Sequence, residues 1–155
     1  MPKIIKLIIS IMIPLTSGFL GSIFTGMSVK TWYLNINKPL FNPPGWIFAP
    51  VWTVLFILIG ISFYICWNND FGTNKKICLT VYFLQILFNF LWSLFFFGMR
   101  NPLFGLIDIL ILWLFIIANM ILFYNVSKIA GYLLIPYFLW VSFATILNFS
   151  ILLLN

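Results

Sequence analysis

Residues 103–124 read LFGLIDILILWLFIIANMILFY and contain a single charged side chain, that of Asp108. An α-helix rises about 1.5 Å per residue, so about 20 apolar residues cross a hydrocarbon core of about 30 Å. Lipid offers the backbone no hydrogen-bond partners, and only helices and closed barrels satisfy their own. A continuous apolar run lacks the alternation of a barrel strand. The stretch therefore predicts a transmembrane helix.

Four further apolar stretches are long enough to cross the bilayer, at residues 4–24, 47–67, 77–97 and 129–154. Of the 155 residues, 64% are hydrophobic and 6% are charged, whereas a soluble domain has roughly a quarter of its residues charged. Too few polar side chains exist to cover a water-soluble surface. The sequence predicts an all-α membrane protein, a bundle of five transmembrane helices forming one domain over residues 1–155. The only long connection, about 25–46, joins the first two helices.

Asparagine and proline residues mark helix ends and bends. Asn101 is expected to cap the fourth helix, with Pro102 in its first turn, where a missing N–H costs nothing. Pro14 and Pro136 fall inside apolar stretches and predict kinks, because proline cannot donate the helical hydrogen bond.

The basic residues predict the orientation of the chain. One side of the membrane would hold Lys3, Lys6, Lys75, Lys76 and Lys128, and the other Lys30, Lys38 and Arg100. Cytoplasmic segments carry an excess of lysine and arginine, so the N-terminus is expected in the cytoplasm and the long loop outside. The net charge of +6 is interpreted as topology and lipid headgroup contact, not as a nucleic-acid surface. The N-terminal residues lack the composition of a transit peptide, which favours a bacterial cell membrane.

The residue inventory limits the chemistry. There is no histidine and no glutamate, which removes the commonest haem and zinc ligand and the commonest general base. Cys66 and Cys78 lie near the cytoplasmic face and are expected to be free thiols. Their spacing predicts no metal site. No nucleophile stands beside a base, so acid–base catalysis in the dark is not expected.

Polar side chains recur on one face of each of three helices. They are Gln85, Asn89, Trp92 and Ser93 in the third, Asp108 and Asn119 in the fourth, and Tyr137, Trp140, Ala144 and Asn148 in the fifth. With alternating helix directions, Asn89, Asp108 and Asn148 would lie in the half of the bilayer nearest the long loop. This convergence predicts a ligand pocket between helices. The alternative is hydrogen bonding across the bundle, at about 0.6–2 kcal/mol per bond, although an unpaired buried carboxylate such as Asp108 is costly.

The long loop leads into the stretch NKPLFNPPGWIFAPVWT, residues 37–53, with four of the chain's eight prolines. Prolines restrict φ and reduce the entropy lost in holding one loop shape. We expect this segment to cover the end of the bundle where the polar groups converge, and Trp52 to reach into the cavity.

Small residues recur in the first helix, where Gly18, Ser22 and Gly26 are four residues apart. This spacing allows two membrane helices to approach closely. It predicts either a homodimer contact or close packing inside the bundle, and the spacing does not choose between them.

Four stretches together resemble the TspO/MBR family of tryptophan-rich sensory proteins and translocator proteins: WYLNINKP (32–39), NPPGWIFAPVWTVLF (42–56), NFLWSLFF (89–96) and LLIPYFLWVSFATILN (133–148). The resemblance implies a five-helix bundle, often a homodimer. It also implies an interhelical pocket for a tetrapyrrole such as protoporphyrin IX, with no required cofactor. The predicted ligand-binding residues are Tyr33, Trp52, Asn89, Trp92, Phe96, Asp108, Trp140, Ala144 and Asn148. At the pocket mouth, Lys30, Lys38 and Arg100 would meet the ligand's carboxylates.

Three functions remain open for a protein of this kind. The resemblance to tetrapyrrole-linked regulators implies a membrane receptor. Some family members promote light-dependent breakdown of the bound porphyrin, and the tryptophans concerned would be Trp52 and Trp140 here. Transport of porphyrin or sterol-like ligands is the third. No basic residue follows Lys128, so the sterol motif of animal members is missing from its usual place.

Overall fold

The computed structural model describes residues 1–155 and contains helices but no strand. Five helices are long and apolar enough to cross a membrane, which confirms the predicted architecture. We name them spans 1 to 5: Lys3–Ser28, Gly45–Asn68, Lys75–Gly98, Pro102–Val126 and Lys128–Leu154. Only the end of span 1 departs clearly from the sequence prediction, because the helix continues past residue 24. The buried Ser28 hydroxyl donates to the carbonyl of Phe97 and holds this last turn against span 3.

The helix starts of spans 4 and 2 follow their local sequence. The Asn101 side chain accepts a hydrogen bond from the backbone N–H of Phe104 at 3.1 Å, and Pro102 occupies the first turn. The predicted cap of span 4 is therefore confirmed. Span 2 begins with a 3₁₀ turn, Gly45–Ile47, which leads directly into the α-helix Phe48–Asn68.

Span 5 consists of two helices, Lys128–Leu133 and Ile135–Leu154, separated at Leu134. Pro136 lies in the first turn of the second helix, where its missing N–H removes no helical bond. The disturbance predicted at this proline is thus present as a break in the helix.

Pro14 has a different effect, because span 1 continues through it without interruption. Proline cannot bond the carbonyl four residues before it, which is that of Ser10. Gly60 of span 2 lies against this backbone: a Cβ added at Gly60 would be 2.6 Å from the Ile11 Cα and 2.8 Å from the Ser10 oxygen. Glycine at this position lets spans 1 and 2 pack backbone to backbone where the helical ladder of span 1 lacks one bond.

The five spans form a ring in the order 1, 2, 5, 4, 3, and span 3 closes it against span 1. Spans 3 and 5 face each other across the interior without extensive backbone contact. The contacts between spans 3 and 5 include the side-chain hydrogen bonds of Asn89 with Tyr137 and of Trp92 with Asn148.

The buried core has two parts. The larger part lies between spans 2, 3, 4 and 5 and includes the stacked rings of Tyr82 and Phe123 together with Cys66 and Cys78. Both cysteines are free and almost fully buried. The smaller part lies beneath the long loop and contains Tyr33, Phe96, Phe97, Leu147 and Ile151.

The small residues of span 1 point in different directions. A Cβ added at Gly18 would be 2.3 Å from a ring carbon of Phe56, so Gly18 packs against span 2 within the bundle. Nothing lies within 4 Å of the same position at Gly26. Ser22 is exposed and its hydroxyl donates to the carbonyl of Phe19 in its own helix. A homodimer contact through Ser22 and Gly26 stays a prediction, whereas Gly18 serves packing inside the bundle.

Candidate ligand site

A short helix, Trp32–Asn35, begins the long loop and carries Tyr33 to the end of the bundle. The buried Tyr33 ring lies 5.5 Å from the ring of Phe97 and 6.3 Å from that of Phe96. Its hydroxyl donates to Asn42 Oδ1 at 2.9 Å. Burial raises the pKa of the Tyr33 hydroxyl, and the bond to Asn42 lowers it by less. The group therefore stays protonated and ties the two ends of the loop together.

Lys38 braces the loop from within. Its Nζ donates to the carbonyl oxygens of Tyr33 at 2.7 Å, Ile36 at 3.2 Å and Leu34 at 3.5 Å, and lies 4.9 Å from the centre of the Tyr33 ring. An ammonium group has three donors, and all three are engaged here. A ligand carboxylate would have to displace these bonds to reach Lys38.

The other two basic residues of this side are more accessible. Lys30 is exposed. Arg100 is also exposed and donates from Nε to the Ser28 hydroxyl at 3.2 Å. The terminal nitrogens of Arg100 make no protein hydrogen bond, so the predicted contact with ligand carboxylates remains open for Lys30 and Arg100.

The end of the loop is fastened to the end of span 5 by two asparagines. The Asn37 backbone N–H donates to Asn155 Oδ1 at 3.0 Å, and Asn155 Nδ2 donates back to the Asn37 carbonyl at 2.8 Å. The Asn37 side chain also donates to the Leu154 carbonyl at 3.2 Å. These bonds satisfy helix-end groups that would otherwise lack partners and fix the loop relative to span 5.

A π-helical turn at the end of span 3 contributes two aromatic side chains to the smaller core beneath the loop. It covers Leu94–Gly98 and brings two successive residues, Phe96 and Phe97, into the interior, with 2% and 8% of their surfaces exposed. Trp92 stacks on Phe96 with ring centres 5.0 Å apart and planes inclined by 19°. Such turns widen a helix locally and recur at functional sites.

Two further tryptophans, Trp52 and Trp140, pack against the larger part of the core. Trp52 of span 2 stacks on Phe56 at 5.5 Å and meets the edge of Tyr137 at 6.4 Å. Trp140 of span 5 lies 6.1 Å from Phe48. The predicted tryptophans therefore come to the loop-side half of the bundle, where their direct ring partners are phenylalanine and tyrosine.

Most of the predicted polar residues pair across the gap between spans 3 and 5. Asn89 Nδ2 donates to the Tyr137 hydroxyl at 2.7 Å, and that hydroxyl donates to Gln85 Oε1 at 2.9 Å. Nearer the loop, Trp92 Nε1 donates to Asn148 Oδ1 at 2.9 Å. The Asn148 amide in turn donates to the carbonyl of Pro102, also at 2.9 Å, which fastens span 5 to the start of span 4.

Other buried polar atoms have no partner. Both carboxylate oxygens of Asp108 are unpaired, although the residue is only 2% exposed. Asn119, which shares its helical face, is equally buried and unpaired. The indole N–H of Trp140 and the amide nitrogen of Gln85 are the remaining unpaired groups close to the predicted site. Buried polar groups are normally satisfied, so these atoms are the ones available to a ligand or water.

The sequence prediction included the residues of this region but not all of their neighbours. Two omissions, Phe48 and Phe97, contact predicted residues directly. Phe97 follows Phe96, and neighbouring residues of a regular helix diverge by about 100°. Both residues lie in the π-helical turn Leu94–Gly98, which the sequence analysis did not predict. Ala144 is half-buried against the larger core. Ligand binding by these residues stays a prediction.

Comparison with known proteins agrees with this architecture. The model of the TspO/MBR family matches residues 10–154. The chain belongs to the TspO/MBR family.

Relatives within the family come from archaea, bacteria and animals. The Tryptophan-rich protein TspO of Archaeoglobus fulgidus is 49% identical over 153 residues, 99% of each chain. The Tryptophan-rich sensory protein of Cereibacter sphaeroides is 38% identical over 133 residues, 84% of this chain and 82% of its own. The Translocator protein of Bos taurus is 34% identical over 140 residues, 89% of this chain and 83% of its own. This TspO/MBR member is therefore a multi-pass membrane protein.

Proposed function

We propose that this TspO/MBR protein is a membrane receptor for a tetrapyrrole such as protoporphyrin IX. The ligand would bind between spans 3 and 5, beneath the long loop. One observation supports the proposal most directly: aromatic side chains occupy the space between the spans beneath the loop, and unpaired polar groups remain beside them. The names of relatives, a sensory protein and translocator proteins, agree with a regulatory role in the membrane.

The aromatic residues match the shape of such a ligand. A porphyrin is flat and largely apolar, and well-placed ring contacts stabilise a complex by about 0.5–1.5 kcal/mol each. Trp52 and Trp92 stack on Phe56 and Phe96, so each tryptophan keeps a partner on one side. A flat ligand would contact the remaining ring surfaces without breaking these stacks.

The unpaired polar groups can form hydrogen bonds with the polar atoms of a porphyrin. The pyrrole nitrogens of a free-base porphyrin present N–H donors, and Asp108 has acceptors without partners. Trp140 has a free indole donor for a ligand oxygen or nitrogen. Asn89 and Asn148 are already bonded within the bundle, so we expect them to shape the site more than to bind the ligand directly.

Binding is tested by following the Soret band of protoporphyrin IX during titration with purified protein in detergent, with empty micelles as the blank. Trp140→Phe keeps an aromatic ring but removes the free N–H, and it should weaken binding about tenfold, equal to about 1.4 kcal/mol. Asp108→Asn should weaken it similarly, because it replaces one carboxyl oxygen, an acceptor, with an amide N–H donor.

The matched control is Trp113→Phe. The Trp113 indole of span 4 already donates to the Ser142 hydroxyl of span 5 at 2.8 Å. Its removal should leave the affinity for porphyrin unchanged. If Trp140→Phe and Trp113→Phe bind protoporphyrin equally well, the site does not lie between spans 3 and 5.

A further inference from the structure

The outer face of the long loop is apolar. Leu40 is fully exposed, Trp46 is 75% exposed and Leu34 is largely exposed, whereas Phe41 is about half exposed and lies beside the ring of Phe143. Nothing lies within 4 Å of a Cβ added at Gly45, so the turn beside Trp46 is clear of the bundle. Burying a large apolar side chain is favourable relative to leaving it exposed to water. If the loop stood in water, several of its apolar side chains would lack this stabilisation.

Bonds on the inner side of the loop hold it in the conformation that leaves these apolar side chains exposed. Tyr33 packs inward, Lys38 bonds three carbonyls of the loop, and Asn37 is fastened to Asn155. With its inner side chains fixed in this way, the loop cannot turn its apolar face inward without breaking these bonds.

This face continues into the lipid-facing surface of span 5. A hollow of about 420 Å³ is lined by loop residues and by the last turns of that span: Lys38, Pro39, Leu40, Ser150, Leu153 and Leu154. Leu153 is 69% exposed, as expected for a residue that meets lipid. The ammonium group of Lys38 is bonded to loop carbonyls, so the hollow presents apolar surface and not a free positive charge.

We propose that the loop between spans 1 and 2 is seated in the boundary between lipid headgroups and acyl chains. Leu40 and Trp46 insert into that boundary, and an acyl segment fills the hollow beside Leu153. Tryptophan is enriched at this depth because its ring combines an apolar body with a polar N–H. The loop is then a membrane-seated cover over the end of the bundle.

A fluorescent probe on the loop tests this seating. The full-length chain carrying Leu40→Cys is labelled with the environment-sensitive NBD group and reconstituted into phosphatidylcholine vesicles. Thr73→Cys is the matched control, because Thr73 is exposed in the polar connection between spans 2 and 3. The unsubstituted chain gives the background, since Cys66 and Cys78 are almost fully buried.

We expect lipid carrying a doxyl group near the headgroup to quench the Leu40 probe severalfold more than the Thr73 probe, and aqueous iodide to show the reverse order. Equal quenching of both probes by iodide would show a loop in water and overturn the proposal. Protection of the Leu40 probe from both quenchers would also overturn it, because protein, such as a second copy of this chain, would then cover the face.

A second measurement needs no attached label, so it tests the same proposal even if the NBD group disturbs the loop. Trp46→Phe should remove part of the tryptophan emission that dibrominated lipid quenches. If it removes only emission that aqueous acrylamide quenches, Trp46 is not in the lipid boundary.

Discussion

The interface between spans 3 and 5 and the inward face of span 4 differ in the pairing of their buried polar groups, although Gln85 Nε2 and Trp140 Nε1 of the interface are also unpaired. Across the first, Tyr137 bridges Gln85 and Asn89, and Asn148 joins Trp92 to span 4. On the second, Asp108 and Asn119 have no partner. The sequence shows the same type of polar residue in both places. The difference teaches that the pairing of a buried polar group, and not its residue type, shows whether it joins the helices of the bundle.

The contrast has an energetic basis. A hydrogen bond between membrane helices contributes on average about 0.6 kcal/mol, because the separated helices also find partners. Leaving a buried group without its partner costs more, about 1–3 kcal/mol. Removing a bridging residue should therefore destabilise the protein, whereas changing an already unpaired residue should not.

The largest effect is expected for Asn148→Leu. It leaves Trp92 Nε1 without a partner and removes the bond that joins span 5 to the Pro102 carbonyl, and the free energy of unfolding should fall by about 2–3 kcal/mol. The measurement is reversible unfolding in mixed detergent micelles. Ser150→Ala is the control, because the Ser150 hydroxyl donates only to the Ile146 carbonyl of its own helix. The free energy of unfolding should then change by less than about 0.5 kcal/mol.

A smaller loss is expected for Tyr137→Phe, about 1–2 kcal/mol in the same unfolding measurement. Gln85 and Asn89 are four residues apart on one helix face, so their amides can bond each other once the hydroxyl is gone. Tyr132→Phe, at an exposed tyrosine of span 5, controls for loss of a hydroxyl. Equal stability of the two variants would mean that the bridge across the gap contributes nothing.

The smallest effect on stability is expected for Asp108→Asn, because the carboxylate has no partner to lose. The free energy of unfolding should change by less than about 0.5 kcal/mol or rise, while the affinity for porphyrin falls. A loss as large as that of Asn148→Leu would reveal a structural role for Asp108 and remove the contrast between the two regions.

Local sequence was sufficient to predict the five spans and the polar faces of spans 3 to 5. The Asn101 cap needs only an acceptor side chain before the first turn, and the polar faces of spans 3 to 5 follow from helical periodicity. Local sequence was not sufficient to predict which residues these groups contact in the folded protein. Whether Gly18 meets another span or another molecule depends on where Phe56 lies, and the engagement of Lys38 depends on how the loop folds back on itself.

The sequence by itself determined that the chain crosses a membrane five times, because lipid forces long apolar runs to satisfy their backbone bonds as helices. It also determined that tryptophans and amides would collect near the long loop. Only the tertiary structure decided which of these groups pair, which stay free, and that Phe97 joins Phe96 in the interior. The physical reason is that a hydrogen bond or a ring contact depends on ångström distances between different helices. Those distances are set by packing around the whole ring of spans, which periodicity within one helix does not specify.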